Sequence, residues 1–198
     1  MPKIPIAELK KDIVIKAKLH GSDFTFNTTW GLFSPEKIDE GTEMLVNAIN
    51  PKENDTILDL GCGYGAIGIP LARLAPQGKV HMTDKDFVAV EYTKKNAELN
   101  KTPNTLTYLS NGFDQIPKDV KFDIIVSNLP AKISKEFFWI LFAEAKEFLK
   151  TGGSFYVVTI AGLKRFTENN FQKIFGNYEL LDSKKTYFVA KTTKEISN

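Results

Sequence analysis

Residues 57–69 read ILDLGCGYGAIGI. The run TILDL at 56–60 is short and apolar, the pattern of a buried strand. It breaks at Gly61, and apolar residues resume as a predicted helix near 65–75. Gly61, Gly63 and Gly65 form a G-x-G-x-G turn between the two. Lacking Cβ, they permit a tight turn and let a ligand approach the backbone. The helix behind the turn presents free N–H groups and a positive dipole end, which suits a carboxylate or a pyrophosphate.

The elements on either side extend this into an α/β fold. KVHMTD (79–84) is a second strand, and Asp86 caps a helix over 86–100. LTYLS (106–110) and the almost wholly apolar FDIIVSN (122–128) are the third and fourth strands. A very apolar helix covers 135–149 and closes at Thr151-Gly152-Gly153. SFYVVTIA (154–161) is a fifth strand, 166–175 a helix, and 177–193 two final strands. Strands alternating with helices imply a parallel sheet with right-handed crossovers. Ligands then sit at the carboxyl ends of the strands. The unusual residues cluster there, at 61–65, 84, 111–112 and 128–130.

The glycine turn alone indicates an adenosine-type cofactor. Gly63, Gly65 and Gly68 also spell G-x-G-x-x-G, and Asp84 lies 23 residues after Gly61 and 21 after Gly63. An acid at that distance suits ribose hydroxyls. A nicotinamide and a methyl donor both fit. Asp59, two residues before Gly61, favours the methyl donor, because an acid there suits the ammonium of a methionine moiety and opposes a pyrophosphate. Cys62 reads as a small turn residue. After the fourth strand comes Ser127-Asn128-Leu129-Pro130-Ala131-Lys132. A polar Asn at the tip of a buried strand is costly without a partner. An amine could donate to the Asn128 side-chain oxygen and the Leu129 carbonyl, with Pro130 stiffening the loop.

Upstream, residues 12–19 and 23–28 alternate apolar and polar around Gly21-Ser22, the pattern of a β-hairpin. Residues 38–49 are a predicted helix, with Ile38, Leu45 and Ile49 on one side. Trp30, Phe137, Phe138, Trp139 and Phe142 read as packing residues. His81, in mid-strand, reads as packed and His20 as a turn residue. Net charge is +2, with net +3 in residues 1–20 and in 184–198, ends that could attract a phosphate backbone. One cysteine, no apolar run of membrane length and no signal core make a cytoplasmic protein the default expectation.

Taken together, D-L-G-C-G-Y-G, Asp84 and S-N-L-P resemble a class I S-adenosylmethionine-dependent methyltransferase. S-N-L-P is similar to the Asn-Pro-Pro-aromatic motif of enzymes that methylate exocyclic or amide nitrogens, with Leu129 and Ala131 in place of the first proline and the aromatic residue. Gly31-Leu32-Phe33-Ser34, Ile38-Asp39-Glu40-Gly41-Thr42 and E-A-K-E-F-L-K-T-G-G narrow the resemblance to the methyltransferase small domain family, which includes ribosomal RNA guanine-N2 methyltransferases and stand-alone archaeal relatives.

The resemblance implies a Rossmann-like fold: a mostly parallel seven-stranded sheet with an antiparallel last strand. A hairpin arm and lid over 1–35 would precede a catalytic domain over 36–198. It implies S-adenosyl-L-methionine held by Asp59, Gly61, Cys62, Gly63, Asp84, Lys85, Asn111, Gly112 and Asn128, with no metal. Asn128, Leu129 and Pro130 would serve catalysis, and Phe33, Ser34 and Lys132 would meet substrate or form the lid. The expected acceptor is an exocyclic nitrogen, guanine N2 or adenine N6, of ribosomal or transfer RNA. Capture of that RNA would fall to the arm, a homodimer or a partner. A non-catalytic RNA-binding domain and a nicotinamide oxidoreductase are the rival readings.

Overall fold

The strand that runs into the glycine turn lies inside the sheet, paired on both sides. In the computed structural model, which describes residues 5–131 and 134–195, β3 (Thr56–Leu60) pairs in parallel with β4 (Lys79–Asp84) on one side and β6 (Phe122–Asn128) on the other. β5 (Thr105–Leu109) lies outside β4, and β7 (Leu149–Ile160) lies outside β6. β9 (Tyr187–Thr193) runs antiparallel to β7, and β8 (Glu179–Ser183) closes the edge against β9. The order β5-β4-β3-β6-β7-β9-β8 reverses between β3 and β6, which places the ligand-binding crevice at their carboxyl ends.

Alternation along the strands builds two cores. Ile57, Ile124, Val126 and Val158 face α2 (Glu40–Asn47), α3 (Gly68–Leu74), α4 (Phe87–Leu99) and an N-terminal hairpin. Leu58, Leu60, Ile125 and Val157 face α5 (Lys135–Phe148) and α6 (Lys164–Phe175), where Phe138, Phe142, Phe155 and Phe171 interlock. His81 is buried between Tyr108 and Phe122, and burial lowers its pKa, as expected of a packed histidine.

After a short helix, α1 (Ile6–Leu9), the hairpin pairs β1 (Ile13–Leu19) with β2 (Ser22–Thr28). His20 and Gly21, both at positive φ, make its turn, one residue earlier than the alternation indicates. Ile15, Leu19, Phe24 and Phe26 enter the first core. Two asparagines, Asn96 in α4 and Asn100 at its C-cap, fasten the free edge of β2. Asn100 accepts from Thr25 N–H and donates to Thr25 O; Asn96 does the same for Asn27. Four residues of helix, ~6 Å, match the ~6.7 Å between alternate strand residues, so the two amides act like a short third strand. Arg73 adds a bond to Asp23 O and stacks over Phe24 at 4.2 Å.

Four local expectations are corrected. The turn continues to Ile67, so α3 starts at Gly68. Thr151-Gly152-Gly153 does not end α5: the chain turns extended at Leu149, and 150–153 form an irregularity inside β7, between the pairs Phe122–Leu149 and Ile124–Ser154. Trp30 is 51% exposed and Trp139 is 44% exposed, so neither is a core residue. Trp139 instead lies on the surface with the Lys173 ammonium 5.3 Å from its ring.

Candidate active site

Strand register brings the expected residues together. Asp59 pairs with Met82 and Val126, so the chain beyond it, at Gly61, is level with Asp84 on β4 and Asn128 on β6. Three adjacent strand ends therefore meet across two strand spacings, roughly 10 Å. Thr83 O accepts from both Gly61 N and Cys62 N, at 2.8 and 2.9 Å, and holds the turn onto β4. Gly61 and Gly63 sit at φ 74° and 57°, and a Cβ at either would meet nothing within 4 Å. The turn thus offers bare backbone over open space, the cradle a close-fitting ligand needs. Gly112 has the same property at the end of β5, beside exposed Asn111.

Two carboxylates flank the turn in different surroundings. Asp84 is half-buried; its Oδ2 accepts from Gly63 N at 2.8 Å and its Oδ1 from Asp86 N at 3.0 Å. Lys85 is exposed next to it. Asp59 is fully buried beneath the turn. Its Oδ2 accepts from Gly68 N at 2.8 Å, while Oδ1 has no hydrogen-bond partner among the described residues. Burial, with the Asp84 charge adding, pushes the Asp59 carboxyl up to about 7 against the Gly68 bond. Cys62 is buried against Thr93, and burial holds its thiol in the protonated form.

Asn128 ends β6 with its amide fixed from behind. Nδ2 donates to Asp39 Oδ2 at 3.1 Å and to Thr42 Oγ1 at 3.0 Å. Leu129 is buried in the second core and donates its N–H to Val158 O at 2.8 Å, while Pro130 is exposed. Ser127 Oγ donates to Leu60 O at 2.7 Å, tying β6 to the strand that carries the turn. Phe33 is 62% exposed rather than packed. Ser34, at φ 46°, donates to Lys37 O and accepts from Tyr64 OH at 3.4 Å, which joins the segment after the hairpin to the glycine turn. Lys132 lies outside the described residues.

The site also contains residues whose contribution was not legible. Asp39 and Thr42 belong to the stretch that carries the family resemblance, yet nothing local says they reach Asn128. Tyr187 on β9 donates to Asp39 Oδ1 at 2.8 Å and completes the cluster. Asn96 Nδ2 also donates to Tyr64 O in the turn at 2.9 Å. The one available signal was an unpaired amide at Asn128 that required acceptors.

Comparison with known proteins agrees with this geometry. The methyltransferase small domain family matches residues 23–191. The Bacillus subtilis (strain 168) protein YbxB is 32% identical over 89% of this chain and 89% of its own. Ribosomal RNA large subunit methyltransferase G of Pseudoalteromonas translucida is 29% identical over 92% of this chain and 49% of its own. Among solved structures, the T. thermophilus 16S rRNA N2 methyltransferase RsmC, in complex with AdoMet and guanosine, superposes with a TM-score of 0.86 at 26% identity over 98% of this chain and 52% of that one. The chain spans about half the length of these two RNA-modifying relatives. With the reversed strand order, the bare glycine turn and Asp84 at the next strand end, the chain belongs to the methyltransferase small domain family of Rossmann-like, S-adenosylmethionine-dependent methyltransferases.

Proposed function

We propose that this protein methylates an exocyclic nitrogen of an RNA base, guanine N2 or adenine N6, in ribosomal or transfer RNA. One observation carries the reading: both donors of the Asn128 amide face Asp39 and Thr42, so its oxygen is left as a free acceptor for a donor group. An oxygen acceptor at the end of the central strands selects a group that brings N–H donors, as an aromatic amine does. The relatives named for ribosomal RNA support RNA as the acceptor class, and RsmC, with N2 in its name and guanosine in its structure, favours guanine.

S-adenosylmethionine, when bound, supplies an electrophilic methyl group on a sulfonium. Gly61, Cys62 and Gly63 would receive it on bare backbone, Asp84 would accept from its ribose hydroxyls, and Asn111 and Gly112 would border the adenine, with Lys85 beside them. Asp59 would complement the methionine ammonium from beneath the turn. Asn128 Oδ1 and the Leu129 carbonyl accept from the substrate amine and turn its lone pair toward the methyl. Pro130 stiffens that loop, and Phe33 and Ser34 border the substrate side, with Lys132 meeting a phosphate. As the nitrogen–methyl bond formed, the sulfur–methyl bond would break with its electron pair returning to sulfur, releasing a neutral thioether. The methylated, cationic nitrogen would lose its proton readily to water, so positioning and polarisation would do the work and no dedicated base is needed.

The test is transfer of labelled methyl groups from S-adenosylmethionine to RNA, followed by nucleoside mass analysis. Methylated guanosine or adenosine is expected. A protein that binds S-adenosylhomocysteine yet labels no RNA would overturn the reading.

A further inference from the structure

We propose that Asp39 and Thr42 are positioning residues, which hold the Asn128 amide in a single orientation with its oxygen toward the substrate. This rests on the functional reading above and deepens it. A carboxamide is nearly symmetric in shape, so its oxygen and NH2 ends can exchange by rotation about one bond. If Asn128 flipped, it would offer donors to an amine that itself only donates, and transfer would fail.

The Asp39 carboxylate, which only accepts, opposes that flip, and the Thr42 hydroxyl gives Nδ2 a second partner on the same side. Nδ2 lies 3.1 Å from Asp39 Oδ2 and 3.0 Å from Thr42 Oγ1. A flipped amide would set its oxygen against the Asp39 carboxylate. Asp39 is itself held at several points. It caps α2 by accepting from Thr42 N, and its other oxygen accepts from Tyr187 OH at 2.8 Å. Burial, then the bond to Asp39, pushes the Tyr187 hydroxyl up to about 12, so it remains a donor at neutral pH. Gly41 permits the assembly: a Cβ there would lie 2.9 Å from Asp39 Oδ2 and 3.1 Å from the Val158 side chain. Each residue of Asp39-Glu40-Gly41-Thr42 except Glu40 thus contributes to fixing one side chain more than eighty positions away. The carboxylate also polarises the amide, which makes Oδ1 a better acceptor for a nitrogen that becomes positive as the bond forms.

Two substitutions at Thr42 separate positioning from packing. Thr42→Val keeps the buried shape and removes the acceptor; Thr42→Ser keeps the acceptor and removes a buried methyl. If Thr42 positions Asn128, Thr42→Val lowers kcat on RNA roughly tenfold, the worth of about one hydrogen bond, at unchanged S-adenosylhomocysteine affinity, and Thr42→Ser turns over faster than Thr42→Val. A packing role gives the opposite ranking, because the smaller serine leaves a void. The side-chain NH2 pair of Asn128, assigned by its loss in Asn128→Ala, supplies a readout without turnover. In 15N spectra of the cofactor-free protein, Thr42→Val should shift this pair and speed its exchange with water, and Thr42→Ser should disturb it less. The reverse ranking in kcat, or an NH2 pair indifferent to Thr42→Val, would overturn the proposal. If the wild-type protein labels no RNA, the functional reading fails, and the NH2 pair alone then decides whether the amide is held.

Discussion

Asp84 Oδ2 accepts from Gly63 N at 2.8 Å, so the acid at the end of β4 braces the glycine turn as well as facing the crevice. A carboxylate has about four lone-pair sites, and two amides use one each here. The remainder can accept from a diol. Asp84→Ala therefore removes both a brace and the proposed ligand contact. S-adenosylhomocysteine affinity is expected to fall about 100-fold, the worth of roughly 3 kcal/mol. Calorimetric titration checks this; an unchanged Kd would remove Asp84 from the cofactor site.

Asn128→Ala should separate binding from chemistry. It deletes the acceptor at the strand tip and leaves the glycine turn untouched. The expected result is a loss of about 100-fold or more in kcat with cofactor affinity within a factor of two, as for removal of one polarising contact. Equal losses in both would mean that Asn128 serves the cofactor rather than the amine.

Asp59 makes stability depend on pH. Its folded pKa is about 7 against an ordinary 3.8. The fold therefore binds this proton more tightly than the unfolded chain does. The stability it confers is full below the ordinary value, is lost as pH rises through the window from 3.8 to about 7, and stays lost above it. Asp59→Asn keeps an oxygen for Gly68 N–H and does not ionise. The melting temperature of the wild type relative to this variant should fall as pH rises across that window. Parallel curves would show an Asp59 that titrates normally.

Asn96→Ala should loosen the hairpin. Asn96 is fully buried and bonds to Asn27 N, Asn27 O and Tyr64 O. Leaving these groups unpaired costs about 3 kcal/mol, or roughly 6–12 °C in Tm for a chain of this length. Hydrogen exchange should report lost protection at the Asn27 amide before the amides of β3 and β6. Uniform loss across the sheet would place the damage elsewhere.

What the sequence made legible was local chemistry. The glycine turn, Asp84, the Asp86 cap and the Asn128 tip are each recognisable within a few residues, and the structure places them at neighbouring strand ends. Partnerships across long separations were not legible. Asp39 meets Asn128, and Asn96 meets Asn27, only because the sheet order and the packing of α2 and α4 bring them together. The start of α3, at Gly68, is hidden in the sequence because a glycine-rich turn and a helix share small apolar residues. Trp30 and Trp139 show the other limit, since an aromatic side chain in an apolar neighbourhood can still face water.

The amide ladder on β2 has a further consequence. A two-stranded hairpin ordinarily exposes backbone edges to which another chain can add, a route to domain exchange or fibril growth. At Thr25 and Asn27 every outward N–H and C=O is already engaged by Asn100 and Asn96. An incoming strand would have to displace two buried side chains to gain the same bonds. α4 thus protects that edge of the arm from self-association without a proline, a bulge or an outward charge.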